Sequence, residues 1–489
     1  MSHVDLTSAS ASVSAPPPPV DLLGRFPARL TLGAVAGGVI LDIGVRGGAA
    51  NAVFVAGLMV VVALLLLSHR LERGQTRCLA AVAVVPVLFL TIRASPWLAV
   101  ANLWAFAVLV SAAVLHARSG SLLDTTLRRL LRRWGGAWRR ALRLPAVAVR
   151  LVGRRHHGPA AAQVLRVGRA ALVAFPLLAV IVALLASGDA VFAGLLLPDV
   201  APAPVVGHVV LIALFSIGVL FTVAAAGADT DDEVGAGPFG AVEVATMLIL
   251  AAGVLGLFVV SQLVALTATG ERLLSSSGLT PAEYARSGFF QLCWATGVLV
   301  AFLGLVRALA APGVMAQRGV RLAAAGVPLL ALGLVAVCLR RMALYDDAFG
   351  LTMLRLSVVA VALWLGVLLV LIAVRNLTSE GGSSWVLGAS TAAALALILT
   401  ADTLNPEAFV VRHNLDRATE GAELDIAYLA QLSDDAMPAI VGALGDPLQA
   451  PIHQPLRPAL RCEQDATGVA RLNLAVARAV HERDRSCDP

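Results

Sequence analysis

Eleven uninterrupted apolar runs divide this chain, roughly at residues 28–45, 50–68, 77–93, 96–117, 169–197, 205–226, 240–268, 289–311, 321–342, 354–375 and 384–402. A helix needs about 20 apolar residues to cross a hydrocarbon layer of roughly 30 Å, so each run is a candidate crossing. A barrel would instead show segments of about ten residues that alternate in polarity. With 58% apolar residues, 14% charged residues and a mean hydropathy of +0.84, most of the chain wants lipid as its solvent. The expected fold class is all-α: a polytopic helical membrane protein of about 11 transmembrane helices with a small α-helical C-terminal extramembrane domain.

Composition shifts set the expected boundaries. Residues 1–27 are Ser-, Ala- and Pro-rich, with Pro16 to Pro19 consecutive, and read as a disordered tail. A four-helix transmembrane segment follows at 28–117, an Arg-rich cytoplasmic segment at 118–168, a seven-helix transmembrane core at 169–402 and a helical domain at 403–489. All 37 basic side chains are arginine. Spread around membrane loops, they make no nucleic-acid footprint. They do set orientation. With the N-terminus inside, the inner segments hold 22 arginines and the outer loops seven, which by the positive-inside rule places the N-terminus in the cytoplasm and residues 403–489 outside. Cys462 and Cys487 are the two cysteines beyond the apolar runs, and an oxidising outer compartment would let them pair; two unpaired thiols are the alternative.

On the inner face, LLDTTLRRLLRRWGGAWRRALRL (121–143) has apolar residues every three or four positions and arginines between them. This is the pattern of an interfacial helix, with Arg128, Arg129, Arg132 and Arg133 meeting anionic lipid headgroups; an acidic cytoplasmic partner is the alternative. His156–His157 has no carboxylate or thiol spaced to complete a metal site, so no metal is expected.

The outer side carries most of the remaining polar chemistry. ALYDDAFGLTMLRL (343–356) reads as a loop between two spans. GLTPAEYARSGFF (278–290) carries a capping box built on Thr280, Pro281 and Glu283, and LNPEAFVVRHNL (404–415) repeats the idea with Asn405 and Pro406. The three tyrosines, Tyr284, Tyr345 and Tyr428, fall on this side, which suits an aromatic belt. The functional alternative is that Glu283, Tyr284, Arg286, Tyr345, Asp346, Asp347 and Arg355 converge on one outward-facing cluster, with Arg355 paired to Asp346, Asp347 or Glu283. Within or beside the spans lie Asp42, Asp189, Glu243, Gln262 and Asp402, each costly in lipid unless hydrogen-bonded. No acids at consecutive depths cross the bilayer, so a proton wire is not indicated.

LTPAEYARSGFFQL, FGLTMLRL, NPEAFVVRHNLDRA, LDIAYLAQLSDDAMPAI and LLASGDAVFAGLL resemble an uncharacterised bacterial membrane family, domain of unknown function 4173 or the related 4153 type. The resemblance spans roughly residues 165–445 and implies a multi-pass membrane protein, with no activity and no catalytic residue to carry over. The Arg-rich segment 118–169 is not among the matching motifs.

Nucleotide-binding loops, HExxH zinc motifs and nucleophile elbows are missing from the sequence, so neither a cofactor nor a catalytic residue is assigned. Three function classes remain. The first is a non-enzymatic sensing, scaffolding or accessory component of the cell envelope that contacts membrane lipids and an envelope protein. The second is a small-molecule transporter. The third is a polyprenyl-phosphate-dependent glycosyltransferase, against which the short first outer loop, about residues 44–50, argues.

Overall fold

The computed structural model describes residues 40, 51–67, 74–118, 159–196, 239–265, 288–378, 385–462 and 468–487. Among these residues the chain is helical, and its only bridge pairing is the isolated contact of Phe239 with Ala310. The N-terminal group comprises α1 (Ala52–Leu67), α2 (Gly74–Val82), α3 (Val84–Ile92) and α4 (Pro96–Arg118). The central bundle comprises α5 (Pro159–Gly188), α6 (Ala190–Leu196), α7 (Ala241–Ala265), α8 (Phe289–Leu309), α9 (Arg318–Phe349) and α10 (Met353–Thr378). Then come α11 (Trp385–Leu404), α12 (Pro406–Thr419), α13 (Ile426–Leu429), α14 (Met437–Gly445), α15 (Ala450–Leu456) and α16 (Leu474–Cys487).

The length and apolarity of several of its helices fit a multi-pass membrane protein. Alone, α7, α9, α10 and the Phe289–Arg307 stretch of α8 are long and apolar enough to cross a membrane. Two bent pairs raise the number to six if each is one span. Eleven crossings are therefore not confirmed. One bent pair is Arg166–Phe175 with Leu177–Gly188, turned by 46° at Pro176, where the proline nitrogen carries no hydrogen and a ladder bond is lost. The other is Gly388–Leu404 with Pro406–Thr419, turned by 60° at Asn405. Two expected continuous spans are also interrupted: 77–93 divides at Ala83 and 169–197 divides at Asp189. The runs at 28–45 and 205–226, the Pro-rich tail and the Arg-rich helix lie outside the described residues, apart from Ile40.

One apolar core runs through the central bundle, built on Phe192, Met247, Leu255, Phe258, Leu292, Phe302, Leu334 and Leu369. Its outer surface bears Phe175, Ile249, Leu263 and Trp294, each at least 60% exposed, as suits contact with acyl chains. Between helices with no water to compete, side-chain amides reach across to backbone: Asn376 Nδ2 donates to Ala324 O at 2.8 Å, tying α10 to α9. A second core joins α1, α3 and α4 through Val55, Leu58, Val87, Leu90 and Phe106, with Leu395 of α11 against it. A third lies in the C-terminal tail, where Val410, Val411, Leu415, Met437, Ile440 and Leu460 close around Leu351 and Met353 from the turn between α9 and α10. The tail's core thus contains residues of the bundle.

Candidate functional site

Three polar centres stand out among the described residues, two of them where the tail meets the helices. The first is buried in the bundle. The apolar stripe of α9 runs Leu334, Cys338, Arg341, Met342, and Arg341 is carried inward in phase with it, 3% exposed. Its guanidinium donates to Gly188 O at 2.6 Å and pairs with Asp189 Oδ2. Gln262 Nε2 on α7 donates to the same carboxylate oxygen at 2.6 Å, while Asp189 Oδ1 accepts from Phe192 N at 2.7 Å and caps α6. The helix break at Asp189 thus positions a carboxylate with donors on both oxygens. The break needs glycine beside it: a Cβ on Gly288, whose φ is +91°, would lie 1.7 Å from Gly188 O.

The second centre is ALYDDAFGLTMLRL itself. It is not a loop through its length: α9 continues to Phe349, and only Gly350, Leu351 and Thr352 separate it from α10. Gly350, at φ +75°, makes the reversal, and the neighbouring helix α12 reads the backbone there. Asn414 accepts from Leu351 N and donates to Leu351 O, both at 2.8 Å, and Arg417 donates to Asp347 O at 2.6 Å. His413 Nε2 lies 3.0 Å from the Asp346 carboxylate. Tyr428 Oη accepts from Met353 N at 2.7 Å, meeting a free donor at the start of α10. Burial raises the Tyr428 phenol above its ordinary range.

Here the expected pairing of Arg355 with an acid is corrected. Its guanidinium lies 3.9 Å over the Tyr345 ring and donates to Gly350 O; among the described residues no carboxylate is within ion-pair range. The ring face and a carbonyl offer negative potential without a second desolvated charge. Tyr345 in turn packs against Phe289 and Phe349. Of the expected outer cluster, Tyr345 and Arg355 touch each other, Asp346 and Asp347 bind α12, and Glu283, Tyr284 and Arg286 lie outside the described residues. So do Asp42, Arg128, Arg129, Arg132 and Arg133.

The third centre joins the N-terminal group to the tail. Arg93, at the end of α3, donates through Nε to Asp402 O at 2.7 Å and through Nη2 to Thr403 O at 3.2 Å. Asn102 of α4 donates to Asp402 Oδ1 at 2.9 Å. Asp435 Oδ2 accepts from Ala94 N and Ser95 N, both at 2.8 Å, and Asn473 Nδ2 donates to Leu90 O and Arg93 O at 3.0 and 2.8 Å. Burial pushes the Asp435 carboxyl up to about 6, with Glu407 adding to the effect and Ser95, Arg93 and Ala94 opposing it. At the bend, Asn405 caps α12 by accepting from Ala408 N and donates to Asp435 O at 2.8 Å. Glu407 Oε2 accepts from Ser433 N and Ser433 Oγ, both at 2.7 Å. Glu243, at the other end of α7 from Gln262, accepts from Gly240 N. Cys462 and Cys487 form a disulfide that ties the end of α16 to the segment after Leu460.

Sequence reasoning missed Arg341, Arg93, Asn102, Asp435 and Asn473 as bridging residues. Arg341 could have been found from its phase with Leu334 and Cys338. The others carry no local signal, since each acts across roughly 300 residues or more of chain.

Three of the motifs quoted above thus meet in space: FGLTMLRL is held by NPEAFVVRHNLDRA and by Tyr428 of LDIAYLAQLSDDAMPAI. Residues 78–443 match a domain of unknown function (DUF4153). The chain belongs to that family. Of the two related types named on the motifs, it is the 4153 type, and the match begins well before residue 165, so the Arg-rich segment 118–168 falls inside the family region. No curated protein and no solved structure matches the chain.

Proposed function

We propose that this DUF4153 protein is a non-enzymatic component of a bacterial cell envelope that senses or scaffolds, anchored by its helical bundle and using the tail as its contact surface for an envelope protein. The observation that carries this reading is how the tail is held. His413, Asn414, Arg417 and Tyr428 grip the α9–α10 turn, while Asp435 and Asn473 grip the backbone of the α3–α4 turn. A displacement of the tail therefore loads two separate helical hairpins.

The tail lies on the extracytoplasmic face in this reading. The arginine bias across the loops and the joined Cys462 and Cys487 support that orientation. The Arg-rich segment then meets anionic lipid at the cytoplasmic face. The test is genetic. In a bacterium lacking the gene, a chain ending before residue 420 should still insert yet fail to restore growth under envelope stress. Full rescue by that chain would refute the tail's role.

A second reading, a small-molecule transporter, draws on the Asp189–Gln262–Arg341 centre, a buried polar group inside the bundle. It requires solute flux into proteoliposomes that Asp189→Asn abolishes and loss of the tail does not.

A further inference from the structure

At the junction of α4, α11 and the tail, four buried oxygens accept no hydrogen bond: Ser95 Oγ, Asn102 Oδ1, Asp402 Oδ2 and Asp435 Oδ1. Their residues are 1%, 1%, 0% and 2% exposed. A web of short contacts brings them to one place. Asn102 Nδ2 holds the other oxygen of Asp402, and Ser95 N holds the other oxygen of Asp435. Arg93 bridges the two acids, with Nε on Asp402 O and Nη1 3.7 Å from Asp435 Oδ1. Ser95 immediately precedes α4, its carbonyl accepting from Ala99 N, and lies seven residues before Asn102.

Buried acceptors of this kind need a donor or a positive charge. Two of the four are carboxylate oxygens and one is an amide oxygen, none able to donate; the single Ser95 hydroxyl proton can serve at most one of them. The charges around them point the same way. Among the described residues Asp402 and Asp435 lie beside one guanidinium, that of Arg93, whereas Arg461 and Arg483 pair with Asp434.

We propose that this junction binds one sodium ion between Asp402 Oδ2 and Asn102 Oδ1, with Asp435 and Ser95 completing a set of hard oxygen donors. A divalent ion is disfavoured by the guanidinium beside Asp435. The ion cross-links α4, α11 and the tail. The inference does not rest on the sensing reading and holds equally for a transporter.

The test uses the full chain, purified in detergent, and follows thermal unfolding. It compares sodium chloride with choline chloride at equal ionic strength near about pH 8. Sodium should raise Tm saturably by a few degrees. Asp402→Asn should remove that rise, and Asp347→Asn, which alters an exposed acid outside the junction, should retain it. Should Asp402→Asn fail to fold, Asn102→Ala takes its place, since it removes the second oxygen of the pair. No response to sodium, or a full response in Asp402→Asn or Asn102→Ala, overturns the proposal.

Discussion

Replacing Arg341 by Met should be among the most damaging single changes in the bundle, and the structure sets the expected size. Arg341 supplies two of the contacts around the helix break, to Gly188 O and to Asp189 Oδ2. Its loss removes the charged partner of Asp189, which is 1% exposed and keeps the uncharged donors Gln262 Nε2 and Phe192 N. Breaking a buried pair from one side costs about 3–5 kcal/mol. Asp189→Asn keeps the shape and the cap but turns an N–H toward Arg341 or Gln262, both donors, for roughly 2–3 kcal/mol. The double change removes both charges together and should cost less than the sum of the two, with a coupling of about 2–3 kcal/mol. Thermal unfolding in detergent, followed by tryptophan fluorescence, reads these as Tm losses of about 2–4 °C per kcal/mol. Single losses below roughly 0.5 kcal/mol that simply add in the double variant would refute the reasoning.

Gly288→Ala should lower Tm by more than any other Gly→Ala change in α8 or beside it, because its Cβ falls on Gly188 O; Gly297→Ala, with nothing within 4 Å, should be neutral or slightly stabilising. Asp435 gives a pH dependence whose sign is fixed. Its folded value, about 6, lies above its ordinary value of 3.8, so the neutral form favours docking, and stability should fall as pH rises from about 4 to about 6, by roughly 3 kcal/mol. Asp435→Asn should flatten that region of the unfolding-versus-pH curve. Reduction of the Cys462–Cys487 disulfide, which closes a loop of 25 residues, should destabilise the tail by about 3 kcal/mol in the chain-entropy account, seen as a loss of hydrogen-exchange protection in α16. Reporter fusions after residue 150 should report the cytoplasm and fusions after residue 445 the outside; matching compartments would overturn the proposed topology.

Helix content and the location of most apolar helices were legible because hydropathy over about 20 residues is a local property that tertiary contacts do not alter. The tail's first cap was legible for the same reason: Asn405 with Pro406 is a signal contained in two residues, and the structure uses Asn405 as a cap. Crossings were less legible than helices. Pro176, Asp189 and Asn405 each bend or break the chain within or beside an apolar run, and composition averages over such single positions. The extent of α9 was missed for a related reason. Arg340 and Arg341 look like a flank that ends a span, yet only Arg340 faces outward; Arg341 lies one step further round, on the buried stripe.

The pairings of the polar residues follow from a different constraint. Asp189, Gln262 and Asp402 were conspicuous because a polar side chain in lipid must be satisfied, but that rule names the debtor and not its partner. Partners come from elements distant in sequence, and here they prove to be backbone as often as side chain: Gly188 O, Leu90 O, Leu351 N, Asp402 O. Backbone groups carry no sequence signal, and they become available only where a helix ends or breaks. That is why the polar centres sit at the α5–α6 break, the α9–α10 turn and the α3–α4 turn. It also explains why substituting the side chain at Leu351 or Leu90 should leave these hydrogen bonds in place, whereas a change that moves the helix end would remove several at once.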